Sequence, residues 1–208
     1  DSMFALNLAH LLFTKAQTPI EKKEALSGVR DILLDHITLV ETGYELEKYI
    51  GILYPNSPAF LSALSSEFDF FKSIDANPSL KLNQSEKLME EGHFPDVAKF
   101  WLGQLTQKDN PRANYLYAKY FDGNLKFYSG FLRSAAKQGI PEAQIALADI
   151  HAKKGTAVGY RFAYFWYLKA AQNGTDVKEQ LNLLKEKLSK NDISIIEGEV
   201  LNKDSTYQ

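Results

Sequence analysis

The sequence predicts an all-α chain assembled from antiparallel helix pairs that stack on one another, and three observations carry that prediction. Apolar residues recur at helical rather than alternating spacing almost throughout. "AAKQG" at Ala135–Gly139 returns as "AAQNG" at Ala170–Gly174, 35 residues later, an interval within the range of helical repeats. Trp101, Phe131 and Trp166 stand 30 and then 35 residues apart, each within the helix that closes a unit. A helix pair cannot cover its own apolar face, so successive copies bury one continuous core between them.

Taken in order, the first helix holds Phe4, Leu8 and Leu11 beside Ala5, Ala9, Leu12 and Ala16, adjacent stripes of one helix face. "MFALNLAHLLF" has the apolarity of a signal-peptide core but neither basic residues before it nor a small-residue cleavage site soon after, so it is read as a mature helix. Thr18-Pro19 supplies an N-cap and a first-turn proline for the next helix. Further breaks fall at "ETGY" (41–44), "YPNSP" (54–58) and "DANPSLKLNQS" (75–85), where Gly, Pro or Asn should end a helix. The last is the longest and is taken as the subdomain boundary. It separates N-terminal helical hairpins (1–78) from a repeat array (79–208) closed by capping helices. About a dozen helices and no strand are expected.

Within the array, "NPRANYLYAKYF" and "IPEAQIALADIH" match at Pro111/Pro141, Ala113/Ala143 and Ala118/Ala148, each pair 30 residues apart. The extra five residues of the next interval come from the loop "AKKGTAVG". Ala148, Ala163, Ala170 and Ala171 let backbones approach, and Trp166 fills the space between layers. Gly139 and Gly174 follow last turns, where a left-handed residue is needed and glycine adopts it without steric penalty.

The stretch Glu142–Gly174 resembles a Sel-one-like repeat, a longer-looped relative of the tetratricopeptide repeat. The matching residues are Ala143, Leu147, Gly155, Ala163, Trp166, Tyr167, Ala170, Ala171 and Gly174. Ala148 stands in place of the usual glycine and His151 where an aromatic is common. Residues 112–139 are a shortened match, and 94–109 resemble a second half-unit. The resemblance implies a right-handed α-α superhelix used for protein binding, commonly bacterial and often tied to envelope, secretion or host-interaction systems. It implies no catalysis.

Composition narrows the function further. With 26 acidic and 24 basic residues and a formal charge of −2, the chain carries no broad basic field, so phosphate-driven nucleic-acid binding is not expected. The absence of cysteine removes disulfides, thiolate zinc sites and cysteine nucleophiles. No run reaches the roughly 20 apolar residues of a transmembrane helix, which predicts a soluble chain. The compartment is left open between bacterial cytoplasm, periplasm and secretion.

His10, His36, His93 and His151 are scattered, none with a second histidine three or four residues away. His151 is expected as a packed layer residue. Phosphate-loop, dinucleotide and nucleophile-elbow motifs do not occur. Neither cofactor nor metal is expected, and no catalytic residue is assigned.

The remaining signal is a surface. Tyr117 and Phe121 share the interior face of their helix with Ala118, while Arg112, Tyr115, Lys119 and Asp122 lie on a neighbouring face. The equivalent positions one unit later are Glu142, Ile145, Asp149 and Ala152. By resemblance to tetratricopeptide arrays, first helices line the concave side. Mixed charge beside an aromatic there suits a peptide or protein partner. The expected function is a non-enzymatic interaction scaffold. An immunity or chaperone-like protein covering a toxin or effector, and a hydrolase with a cleft where the N-terminal helices meet the array, stand as alternatives.

Overall fold

Fourteen helices and no strand make up the described part of the computed structural model, which covers residues 2–40, 42–121 and 125–201, side chains of 125–129 excepted. The all-α class is therefore as expected. Packing divides the chain into two compact units, Asp1–Trp101 and Leu102–Gln208.

The first unit contains α1 (Ser2–Lys15), α2 (Pro19–Ala25), α3 (Val29–Val40), α4 (Gly43–Leu53), α5 (Pro58–Ala63), α6 (Ser65–Ala76) and α7 (Pro78–Glu91), with α8 (Pro95–Thr106) crossing the division. Helix α2 begins as expected. Thr18 Oγ1 accepts from the Glu21 N–H, Glu21 reaches back to the Thr18 N–H, and Pro19 occupies the first turn.

Helix α1 departs from the expected pattern. It buries Leu6, Ala9 and Phe13, while Phe4, Leu8, Leu11 and Leu12 stay exposed. Since the helix is apolar all round, periodicity alone could not choose its inner face.

The 75–85 stretch is also shorter as a break than its composition suggests. Asn77 alone separates α6 from α7, its Oδ1 accepting from the N–H groups of Ser79 and Leu80, with Pro78 at the first helical position. Ser79 to Ser85 are helical, and Lys81, Ser85 and Leu88 form the buried stripe.

One close contact organises this unit. Gly43 opens α4 against α6 so tightly that a Cβ would stand 2.5 Å from backbone atoms of Phe71 and Lys72. Only glycine fits that approach. The Gly43 N–H donates to one oxygen of Asp75, and the Lys81 ammonium lies 3.2 Å from the other. One carboxylate thus ties the ends of α4 and α6 to the flank of α7. Around it Leu33, Ile37, Leu46, Ile50, Phe68 and Phe71 form a buried core.

The second unit contains α9 (Pro111–Phe121), α10 (Leu125–Lys137), α11 (Pro141–Ala152), α12 (Ala157–Gln172), α13 (Lys178–Lys185) and α14 (Lys190–Leu201). Its helices pack in sequence order: α9 on α10, α10 on α11, α11 on α12, and α12 on both α13 and α14.

Three helix exits have the same construction. Gly139 (φ 91°) donates its N–H to the Ala136 carbonyl, and Ile140 donates to Ala135, both at 3.1 Å. Gly174 (φ 85°) and Thr175 do the same toward Ala171 and Ala170, at 3.0 and 3.1 Å. Asp109 (φ 52°) and Asn110 repeat it toward Thr106 and Leu105, at 2.9 and 3.1 Å. This pair of bonds is a left-handed helix stop. Residues 109, 139 and 174 lie 30 and 35 apart, the phase of Trp101, Phe131 and Trp166.

The phase continues beyond them. Leu105, Ala135 and Ala170 are buried, and so is Val200, a further 30 residues on; Ile196 is buried 30 residues after Trp166. Helices α13 and α14, expected as caps, occupy the next register of the same pattern.

Candidate functional site

The candidate face is carried by the first helices of consecutive pairs, α9 and α11. Proline at the first position starts both helices. Asn110 caps α9, its Oδ1 accepting from the Ala113 N–H at 3.0 Å. On the inner sides Ala113, Leu116, Ala118, Ala143, Leu147 and Ala148 are buried, so the polar residues between them are turned outward.

Arg112 and Glu142 occupy the same position one unit apart, and the structure joins them: Arg112 Nη1 donates to Glu142 Oε1 at 2.7 Å. The Arg112 guanidinium also lies 5.4 Å from the centre of the Tyr115 ring, a cation over an aromatic face. The Lys119 ammonium stands 4.7 Å from the Tyr120 ring. Tyr115 and Ile145 are half-buried, their inner atoms packed on the core.

Electrostatics tie the set together. Burial opposes ionisation of Glu142, but its own backbone N–H, then Arg112, and then the charge on Lys119 outweigh it, holding its carboxyl below the usual range. The Lys119 amine is raised, chiefly by its hydrogen bond to Tyr120, against desolvation and the like charge of Arg112. Both groups stay charged across the neutral range.

Asp149 has a second duty. Its carboxylate accepts a very short hydrogen bond from the Tyr167 hydroxyl of α12, and burial followed by this carboxylate pushes the Tyr167 phenol up. Asp149 therefore fastens α11 to α12 as well as facing solvent. Among the predicted residues, then, Arg112, Tyr115, Lys119 and Glu142 interact on one surface, and Ile145 and Asp149 extend it along α11. Asp122 lies outside the described residues.

Behind this face runs a set of buried amides that residue types alone did not reveal. Asn114 and Gln144, again 30 residues apart, are both buried. Gln144 Nε2 donates to the Ala136 carbonyl at 2.9 Å, and its Oε1 accepts from Asn173 at 3.0 Å. Asn114 Nδ2 donates at 2.8 Å to Asp109, which also accepts from Ser134 Oγ at 2.8 Å. Those two bonds, Ser134 first, together with Gln138, hold the Asp109 carboxyl below its ordinary value. Each amide locks the start of a first helix to the exit of the helix before it. The signal in the sequence was the 30-residue interval between two amides within otherwise apolar stripes.

His151 is a layer residue. Its ring stacks on Phe162 at 5.0 Å, and desolvation, then Lys154 and Arg133, lower its pKa. Gly159, which sequence reasoning passed over, fits because a Cβ there would lie 2.6 Å from the His151 carbonyl oxygen. Among the described residues no group of three or more His, Asp or Glu is arranged to hold a metal ion, and no helix is long and apolar enough to cross a membrane.

In comparisons with protein-family models, curated proteins and solved structures, nothing matches this chain.

Proposed function

We propose that the chain is a protein-binding scaffold. In this reading α9–α10, α11–α12 and α13–α14 are Sel-one-like units wound into a right-handed superhelix. Arg112, Tyr115, Lys119, Glu142, Ile145 and Asp149 line its concave side and hold an extended segment of a partner protein. The single observation that carries the reading is the Arg112–Glu142 pair, because it sets equivalent positions of successive first helices edge to edge and makes one continuous surface of two helices.

Tyr115 and Ile145 would supply the apolar anchors, where most binding energy concentrates. Lys119, Glu142 and Asp149 would select and orient the partner by charge, influencing capture rate and specificity more than raw affinity. The Arg112–Glu142 pair is too exposed to contribute much to stability, which suits a role in presenting the surface.

The test compares affinity capture by the native chain and by a Tyr115→Ala/Lys119→Ala variant, with bound proteins identified by mass spectrometry. The expected result is one defined protein retained by the first and lost with the second, at unchanged helicity and melting temperature. Equal recovery by both would refute the assignment of this face, and collapse of the fold in the variant would place Tyr115 in the core.

A further inference from the structure

Helix α1 reverses the usual arrangement of a surface helix. It carries no Lys, Arg, Asp or Glu from Ser2 to Thr14, and its mid-helix polar side chains are committed to partners at the end of α4 and just after it. Asn7 Oδ1 accepts from the Tyr54 hydroxyl at 2.8 Å, and His10 Nε2 lies 2.7 Å from Ser57 Oγ. The outward face is left to Phe4, Leu8, Leu11 and Leu12, which are 70%, 43%, 48% and 49% exposed. With spacings of four, three and four residues these form one strip along the helix.

We infer that this strip is a self-association surface: α1 packs antiparallel against α1 of a second copy, across a two-fold axis passing near Leu8. The strip is self-complementary in the way such a contact requires. Phe4 lies four residues before Leu8, and Leu11 and Leu12 lie three and four after it. Antiparallel pairing therefore sets each Phe4 against the Leu11 and Leu12 side chains of the other copy, while the Leu8 side chains meet at the axis.

Charge and area agree with this occupant. No charge on the strip would be buried unpaired, and a net charge of −2 per chain gives little long-range repulsion between copies. The four side chains expose on the order of 400 Å² per copy, the size at which a patch on a monomer marks an interaction site. Two copies with the usual polar rim would bury about 1,200–1,400 Å², the lower range of specific interfaces. A lipid surface fits less well. Helices that lie in membranes combine the apolar face with an outward basic one, and the only charge on α1 is Lys15 at its end.

The test is sedimentation and light-scattering mass across a dilution series, joined to disulfide mapping in a chain that has no native cysteine. The expected result is a particle of twice the 23.5 kDa chain mass that returns to one chain mass at every concentration in Leu8→Glu, and also in Leu12→Lys should the first variant lose helicity. Leu8→Cys should oxidise to a covalent dimer, because residues on the axis come within disulfide reach, whereas Glu90→Cys on exposed α7 should not. A native chain that stays monomeric throughout would overturn the inference, as would a dimer unaffected by both charge variants. So would a monomer that floats with phosphatidylcholine vesicles through Leu8, or one whose Leu8→Cys variant cross-links only to a different protein; these would assign the strip to a lipid surface or to another partner.

Discussion

The two units solve the same problem, covering apolar helices, by different means. Residues 102–201 repeat one solution in register. Helix exits at Asp109, Gly139 and Gly174 share a hydrogen-bond pattern, amides at 114 and 144 lock each turn, and Leu105, Ala135, Ala170 and Val200 mark successive layers. Residues 2–101 solve it locally, through single contacts such as Gly43 against Phe71 and the Asp75 carboxylate shared between Gly43 and Lys81. A repeated solution spreads stability over equivalent neighbours, whereas a local one concentrates it in places with no duplicate.

That contrast can be broken most severely at Trp166, which is buried among Ala163, Phe165 and Ala170. Trp166→Ala should cost about 3–5 kcal/mol, as for comparable large-to-small core changes, read by thermal melting, with amide exchange rising first in α9–α14. A loss below about 1 kcal/mol would mean that the layer does not depend on its central ring. In the other unit Gly43→Ala should cost about 1–3 kcal/mol or more, since backbone atoms, not a flexible side chain, stand in the way. Exchange should then rise in α4, α6 and α7.

The sequence displayed the second unit far more fully than the first, and the reason is physical. Repetition makes every layer residue visible several times, so the exits at Gly139 and Gly174, the buried Ala148 and Ala163, and the Arg112/Glu142 equivalence could be read directly. Asp109 was harder to read as an exit, because a left-handed aspartate depends on Ser134 and Asn114 meeting its carboxylate across the fold. In the first unit nothing repeats. An apolar-all-round α1 hid which face is buried, and the polar letters of 79–85 looked like a loop because Lys81 and Ser85 are buried only through Asp75 and a carbonyl bond. The candidate face was legible as a set of positions, but its pairing of Arg112 with Glu142 was not.

Smaller effects sharpen the comparison. Gly174→Val should destabilise the second unit by about 1–2 kcal/mol, because a β-branched side chain resists the left-handed region. A neutral outcome in thermal melting would contradict the shared exit geometry.

The smallest effect is a pH dependence at His151. Burial lowers its folded pKa below the ordinary value of about 6.5, so the unfolded chain binds the proton more readily. The contribution of His151 is therefore complete above that value and declines as pH falls toward and through the lower folded one. The drop in melting temperature between neutral and mildly acidic buffer should be smaller in His151→Phe than in the native chain.

The most direct measurement removes one register whole. Deleting residues 110–139 joins the exit at Asp109 to Ile140 and Pro141, so that the Leu105 layer meets the next first helix in phase. If consecutive helix pairs are equivalent units, the shortened chain keeps its helical circular-dichroism spectrum per residue and melts cooperatively, whereas a deletion of residues 110–128, which cuts across the register, does not. A non-cooperative, partly helical product from the in-phase deletion would contradict the account.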